Sequence, residues 1–397
     1  MQDGQFAASP TVFSRAAFLF ASGATLAALP ARAPAQSSAS PRIPRVERAL
    51  VLSGGGARGA YEAGIIDYLV SSQAIPTGET LTPYGLVCGT SIGALNGYFV
   101  ATGQYGLLRR LWYSIAREQP VRLKREYQKI PETSHGVGTR VAQAIHLAAG
   151  LNSNTRGILD GEYLRRWLGQ YIDPQRPVLT PFIFTTTNLT TQQAEFFYML
   201  PREPSAALTR VAADAFRGLV GPGVSIREAT PDIVLDALRA SAAIPVAFDP
   251  VRMTNDAGEI CDYVDGGVTA NTPVSSARIG AKAIDVIFLD PIVEAYAYGN
   301  TIEIATGVFG AMQRRILDAD IRAAYLETVG KHALSQSHDA RTRSVASSLY
   351  DVDIFTLRPK KELPVAVIGF DDAEGLFTTY KLGFADASGG FSPFSLV

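Results

Sequence analysis

The chain has 397 residues, of which 47% are hydrophobic and 18% are charged, and this composition is typical of a globular protein with a substantial core. Lys and Arg total 36 against 37 for Asp and Glu, so no basic excess favours nucleic acid as a partner. The two cysteines, Cys88 and Cys261, are too few for a disulfide framework, and we expect both to be small buried residues.

The N-terminal segment differs in composition from the rest of the chain. Residues 16–31 carry no charge and follow Arg15. This stretch is too short to span a membrane but has the length of a signal-peptide apolar core, and Ala33-Pro34-Ala35 fits an A-x-A cleavage site. We therefore expect residues 1–35 to direct export to the periplasm or the medium, with residues 36–45 as a linker. The alternative is a disordered or interfacial N-terminal tail on a cytoplasmic protein.

Strands and helices alternate along the remaining chain. The apolar run RALVLS at 48–53 predicts a buried strand, and the spacing of apolar residues at 59–72 predicts a helix. A second strand and helix are expected at 84–91 and 92–103. Later strands are expected at 181–189, 194–200, within a hairpin over 251–267, at 283–291 and at 352–360, with helices at 161–172, 232–244 and about 302–330. This alternation predicts an α/β fold with a largely parallel sheet.

A glycine cluster joins the first strand to the first helix. Gly54, Gly56 and Gly59 fit G-x-G-x-x-G, the phosphate-binding pattern of dinucleotide-binding folds. That pattern also needs an acidic residue at the end of the second strand, about 20 positions later. Glu79 lies before the second strand, which ends instead in CGTSIG. A non-catalytic dinucleotide-binding module therefore lacks its confirming residue, and it stands as the alternative from a different functional class.

The end of the second strand carries a candidate nucleophile. Residues 89–93, GTSIG, fit G-x-S-x-G between an apolar strand and a helix, which is the setting of a nucleophile elbow. Glycine on both sides permits a sharp turn with Ser91 at its tip. The pattern predicts that Ser91 attacks an ester. The alternative is a tight turn whose serine only caps the helix.

A nucleophile at Ser91 gives the glycine cluster a second interpretation. Backbone N–H groups at a helix N-terminus bind anions, and a tetrahedral oxyanion is such an anion. We expect Gly54, Gly55 and Gly56 to supply these groups, with the N–H of Ile92 as a further donor. Arg58 is expected to support the loop through hydrogen bonds to carbonyls, and a solvated surface arginine is the alternative.

The serine also needs a proton acceptor. Asp265 follows an apolar strand in YVDGGVTANTP, where the glycines allow a tight turn that brings its carboxylate to another loop, and an ordinary Asp-Gly turn is the alternative. His338 lies late enough to mimic a Ser–Asp–His order but occupies a polar, helix-like stretch, which favours a surface position. None of the histidines occupies a strand end with glycines; they are His135, His146, His332 and His338.

Taken together, the motifs are more specific than any one of them. GGGARG at 54–59, GTSIG at 89–93 and DGG at 265–267 follow the order seen in patatin-like phospholipases, and ALRASAAIPVAFDPV at 237–251 resembles the stretch between serine and aspartate in those proteins. The resemblance covers about residues 46–291. It implies a three-layer α/β/α sandwich with a mainly parallel central sheet. It also implies a Ser–Asp dyad without histidine, with Ser91 as nucleophile and Asp265 as base.

The same resemblance implies a function. The expected enzyme is a serine carboxylic-ester hydrolase acting on lipids, of phospholipase A or lysophospholipase type, with an acyl-serine intermediate and contact with a membrane surface. An acyltransferase with the same dyad is the closer alternative. The expected catalytic domain spans 46–300, and a mostly helical part at 301–397 packs on it. No H-E-x-x-H pattern or cysteine cluster implies a metal, and no cofactor is expected.

Overall fold

The computed structural model of the chain describes residues 45–72, 84–128, 156–201, 225–291 and 301–396, with side chains from 310 onward in the last range. The ten strands of this part are Val46–Leu52 (β1), Leu86–Thr90 (β2), Phe182–Asn188 (β3), Gln193–Met199 (β4), Ser225–Glu228 (β5), Val251–Thr254 (β6), Ile260–Asp265 (β7), Ala281–Ile287 (β8), Asp353–Leu357 (β9) and Ser392–Pro393 (β10). Its nine α-helices are Ala60–Ser71 (α1), Ile92–Ala101 (α2), Tyr105–Glu118 (α3), Gly161–Leu168 (α4), Val234–Ser241 (α5), Val274–Gly280 (α6), Thr301–Ser335 (α7), Ala340–Ser348 (α8) and Ala373–Ala387 (α9).

All ten strands belong to one sheet. Its main order is β10-β9-β8-β1-β2-β3-β4-β5, and β7 pairs with both β3 and β6. The neighbours from β9 to β3 are parallel, which requires the crossovers that the helices supply. The hairpins β3–β4 and β6–β7 are antiparallel. The predicted parallel α/β architecture is therefore confirmed.

Both faces of the sheet are buried. Successive side chains of β1 point alternately into two cores. Leu50 and Leu52 join a core with residues of α1, α2, α3 and α9. Ala49 and Val51 point the other way and join a core with residues of α6 and α7. Helices thus cover each side of a buried central sheet, and the predicted three-layer α/β/α sandwich is confirmed.

The C-terminal part of the chain adds two strands to the same sheet. The strand β9 extends the parallel set at its β8 edge, and β10 pairs antiparallel with β9. The helix α9 packs along α1, where the carbonyl of Tyr380 lies within 2.0 Å of the position that a Cβ on Gly64 would take. Residues 301–397 therefore contribute two strands as well as helices. The expected boundary at residue 300, between the catalytic domain and the C-terminal part, stays a prediction.

Most predicted elements lie where the sequence places them, and the differences are local. The helix expected at 232–244 spans Val234–Ser241, and beyond its end the carbonyl of Ala243 accepts the N–H of Asp265 in β7. Cys88 and Cys261 are both free and buried, as expected. The expected signal peptide at 1–35 and the expected linker up to residue 44 lie outside the described residues. No helix in the described ranges combines the length and apolarity needed to cross a membrane.

Candidate active site

The sheet topology brings Ser91 and Asp265 together. The parallel strand β2 pairs with β3 up to Thr90, which lies opposite Thr185. The antiparallel strand β7 occupies the same edge of β3 directly beyond, and Asp265 lies opposite Thr186. The two strands therefore approach each other head to head and end at adjacent positions of β3. The last residue of β7 faces the residue that follows β2.

Ser91 occupies a strained turn between β2 and α2. Its backbone has φ 56° and ψ −124°, a region that residues other than glycine rarely adopt. The flanking glycines are required by close approach of main chains. A Cβ on Gly89 would lie 2.3 Å from the carbonyl oxygen of Gly93, and a Cβ on Gly93 would lie 2.5 Å from that of Leu52. This is the geometry expected of a nucleophile elbow.

The Ser91 hydroxyl donates a hydrogen bond of 2.6 Å from its Oγ to Oδ2 of Asp265. The other carboxylate oxygen, Oδ1, accepts the N–H of Gly267 at 2.7 Å, which fixes the orientation of the carboxylate. Burial raises the pKa of Asp265 to about 7, although both hydrogen bonds act to lower it. A carboxylate with such a pKa is a better proton acceptor near neutral pH than an ordinary aspartate.

The glycine loop lies beside this pair, but its donors differ from the prediction at one residue. The N–H of Gly54 donates to the carbonyl of Asn271 at 2.9 Å, so it is not available to an oxyanion. The N–H groups of Gly55, Gly56 and Ile92 have no acceptor within the described part of the chain. Gly54 instead provides space, since a Cβ there would lie 3.2 Å from Ser91 Cβ and 2.3 Å from Asn271 Oδ1.

A C-terminal loop holds the glycine loop in place. The carbonyl of Val367 accepts the N–H of Ala57 at 2.8 Å. Gly56 has φ +59°, and a Cβ there would lie 2.1 Å from the same carbonyl oxygen. Only glycine therefore fits both the backbone conformation and the space at this position. The C-terminal third of the chain thus contributes directly to the shape of the loop.

Arg58 ties the glycine loop to two other segments. Its Nη1 donates to Oδ1 of Asp290 at 2.6 Å, and its Nε donates to the carbonyl of Val365 at 3.5 Å. A longer ion pair of 3.4 Å joins its Nη2 to Glu362. The side chain of Arg58 is only 14% exposed, so it is not a solvated surface arginine. Its contacts include a carbonyl, as predicted, together with two carboxylates that the sequence did not indicate.

Three further side chains at the site were not singled out from the sequence. Ser241 lies at the end of α5, inside the stretch at 237–251 that carries the family resemblance, and its hydroxyl accepts the N–H of Ser91 at 2.9 Å. Asn271 is buried, and its Oδ1 has no hydrogen-bond partner among the described residues. A Cβ on Gly267 would lie 2.3 Å from Nε2 of Gln313, a residue of α7. Of these three, the sequence offered a signal only for Asn271, which is a polar residue close to the DGG motif.

The described histidines lie in other surroundings. Nε2 of His332 is 3.1 Å from Oδ1 of Asp351 in an exposed pair, and His338 is exposed, as the sequence favoured. His135 and His146 lie outside the described residues. In the described ranges, no group of three or more His, Cys, Asp or Glu side chains could hold a metal ion.

Residues 50–278, more than half of the chain, match the family model described as patatin-like phospholipase. The matched range contains the glycine loop, the elbow and Asp265. A solved structure with which the chain aligns is that of VipD from Legionella pneumophila, at 15% sequence identity and a TM-score of 0.34, covering 89% of this chain and 68% of that one. No curated protein matches the chain.

Proposed function

Because the chain belongs to the patatin-like phospholipase family, which implies lipid hydrolase activity, we propose that it is a phospholipase A or lysophospholipase that uses Ser91 and Asp265 as a catalytic dyad. The observation that carries this proposal is the 2.6 Å hydrogen bond from Ser91 Oγ to Asp265 Oδ2 at a strained strand-to-helix turn. The N–H groups of Gly55, Gly56 and Ile92 beside that turn, which have no acceptor among the described residues, support it further.

The reaction proceeds in two halves. Asp265 accepts the proton of Ser91 while Oγ attacks the ester carbonyl carbon, and the developing oxyanion is bound by the N–H groups of the glycine loop and Ile92. The intermediate collapses as Asp265 returns the proton to the leaving alcohol, which gives an acyl-serine. Water then attacks the acyl-serine and gives its proton to Asp265. Collapse of the second intermediate releases a fatty acid and restores the Ser91 hydroxyl.

The purified protein incubated with a fluorophosphonate probe and a panel of diacyl and lyso-phospholipids tests this proposal. We expect labelling of Ser91 and release of fatty acid, with both abolished in Ser91→Ala. The control is Ser276→Ala, which removes a hydroxyl from another buried serine whose Oγ has no partner within the described ranges. Labelling that persists in Ser91→Ala would refute the assignment. Acyl transfer to an added alcohol in preference to water would instead identify an acyltransferase.

The dinucleotide-binding alternative has weaker support. The family match includes the glycine loop itself, and the N–H of Gly54, the first glycine of G-x-G-x-x-G, is already bonded to Asn271. A titration with NAD, followed by the intrinsic fluorescence of the protein, separates the two functions. Saturable binding together with an absence of esterase activity would favour the dinucleotide module.

Export of the protein remains our proposal on sequence grounds. It rests on the uncharged stretch at 16–31 and the Ala33-Pro34-Ala35 site. Mass spectrometry of the protein recovered from its native host should find a mature N-terminus near Gln36. A full-length soluble protein in the cytoplasm would contradict export.

A further inference from the structure

The short segment that ends α5 contacts both members of the proposed dyad. Oγ of Ser241 accepts the N–H of Ser91 at 2.9 Å, and two residues later the carbonyl of Ala243 accepts the N–H of Asp265 at 2.9 Å. Ser241 is fully buried and Ala243 nearly so. One tripeptide therefore binds the main chain of each catalytic residue, although Ser91 follows β2 and Asp265 ends β7.

The hydroxyl of Ser241 has a fixed orientation. Its own proton is donated to the carbonyl of Thr185 at 2.6 Å. Thr185 is the residue of β3 that lies opposite Thr90, the last residue of β2. The hydroxyl is therefore bonded to β3 at the point where β2 ends. With its proton committed to β3, the oxygen presents a lone pair to the N–H of Ser91.

The backbone of Ser91 needs such a partner. A non-glycine residue with φ 56° is strained, and this backbone conformation persists only where the surrounding structure holds it. Its N–H comes after the last residue of β2 and before the first turn of α2, so neither element supplies an acceptor. Without Ser241 a buried donor would remain unpaired and the turn would be free to relax.

We propose that Ser241 is a positioning residue, which holds the strained main chain of Ser91 so that Oγ stays within hydrogen-bond reach of Asp265. This inference rests on the proposed dyad. The carbonyl of Ala243 gives the corresponding restraint to Asp265. The stretch at 237–251 lies between the two catalytic motifs and carries neither a nucleophile nor a base. Its function in this proposal is to hold the residues that do.

A positioning role has kinetic consequences that a purely structural role lacks. A small displacement of a reacting group lowers the rate of the chemical step strongly, whereas it changes the affinity for substrate much less. We therefore expect kcat of Ser241→Ala to fall about 10- to 100-fold while KM stays within about threefold. The hydrogen bond from Ser91 lowers the pKa of Asp265, so a weakened bond should shift the acidic limb of the kcat/KM profile to higher pH.

The experiment compares wild type, Ser241→Ala, Ser241→Thr and the control Ser276→Ala. Each protein is measured for kcat and KM with a soluble ester, for the pH profile, for the rate of fluorophosphonate labelling and for Tm. Ser241→Thr keeps the hydroxyl, so we expect it to recover kcat relative to Ser241→Ala even if the added methyl group lowers Tm. If Ser241→Ala does not fold, the threonine variant alone decides, and an altered kcat and pH profile in it would contradict the proposal.

Two results overturn the inference. One is a kcat for Ser241→Ala equal to that of Ser276→Ala. The other is a lowered Tm with an unshifted pH profile and an unchanged labelling rate, which indicates a structural hydroxyl only. Both are distinct from failure of the proposed function, in which wild type itself neither hydrolyses the ester nor is labelled at Ser91.

Discussion

Ser91 and Asp265 are 174 positions apart in the sequence and 2.6 Å apart in space. Their contact follows from two strands that end at neighbouring residues of β3, one arriving parallel and the other antiparallel. The carboxylate is held on its other oxygen by the N–H of Gly267. The proposed nucleophile and base are thus aligned by main-chain pairing before any substrate binds.

The pH dependence of activity should report the burial of Asp265. The proposed mechanism needs this group ionised, and burial raises its pKa to about 7. We expect kcat/KM for a soluble ester to rise about tenfold per pH unit below this value and to level off above it. Tm measured at each pH serves as the control for unfolding. An acidic limb near pH 4, the ordinary value for aspartate, would show that another group or state limits the reaction.

Substitutions should distinguish a dyad from a triad. Asp265→Asn removes the proposed proton acceptor, so kcat should fall by at least about 10³-fold in a protein that still folds. His332→Ala removes only an exposed pairing with Asp351, and kcat should stay within about twofold. The measurements are steady-state kinetics and circular dichroism on each variant. A collapse of kcat in His332→Ala or His338→Ala would favour a triad.

Gly56→Ala should damage the proposed oxyanion loop. The new Cβ would lie 2.1 Å from the carbonyl oxygen of Val367 in a backbone with φ +59°, so the loop has to move and the N–H of residue 56 moves with it. Loss of one oxyanion donor typically lowers kcat by about 10²- to 10³-fold, and we expect a fall of that size. The measurement is kcat with a soluble ester.

The matched control is Gly258→Ala. Gly258 also has a positive φ, of +80°, but it lies in the β6–β7 turn, and a Cβ there would meet no atom of the described residues within 4 Å. This variant should lose some stability through backbone strain and keep kcat. An equal loss of kcat in both variants would mean that the effect comes from destabilisation and not from the loop.

Glu62 should make the stability of the protein depend on pH. It is fully buried in the first turn of α1, where its Oε2 accepts a hydrogen bond from Nδ2 of Asn96 at 2.8 Å, and burial raises its pKa to about 8. The protonated form is favoured in the folded protein, so its stabilising effect is complete below the unfolded pKa of about 4.5 and is lost as the pH rises toward 8. Glu62→Gln stays neutral throughout.

Thermal denaturation between pH 5 and pH 9 measures this effect. The decline in Tm over that range should be smaller in Glu62→Gln than in wild type by about 2 °C or more. Asp265 contributes equally in both proteins, so the difference isolates Glu62. The exposed Glu126→Gln is the control and should match wild type. Identical declines in wild type and Glu62→Gln would show that Glu62 is already ionised at pH 5.

The sequence was sufficient where the signal is local. Apolar runs and helical spacing predicted the strands and helices, because periodicity records which faces of an element are buried. G-x-S-x-G predicted the elbow, because a sharp turn between a strand and a helix requires small residues at fixed positions near Ser91. The alternation of elements predicted the parallel α/β fold, and the resemblance carried by three ordered motifs added its three-layer arrangement. The same resemblance favoured Asp265 as the base, where its local setting had left an ordinary Asp-Gly turn as the alternative.

Tertiary structure decided everything that depends on a partner distant in the chain. Gly54 fits the donor pattern, yet its N–H is bonded to Asn271, and nothing within the glycine loop could reveal that. The same holds for the contacts of Arg58 with Asp290 and for the hydroxyl that Ser241 presents to the elbow. A sequence fixes which groups are able to donate and accept, but each N–H and hydroxyl has one proton to give. Only the fold determines which acceptor receives it and, through burial, at what pH a carboxylate ionises.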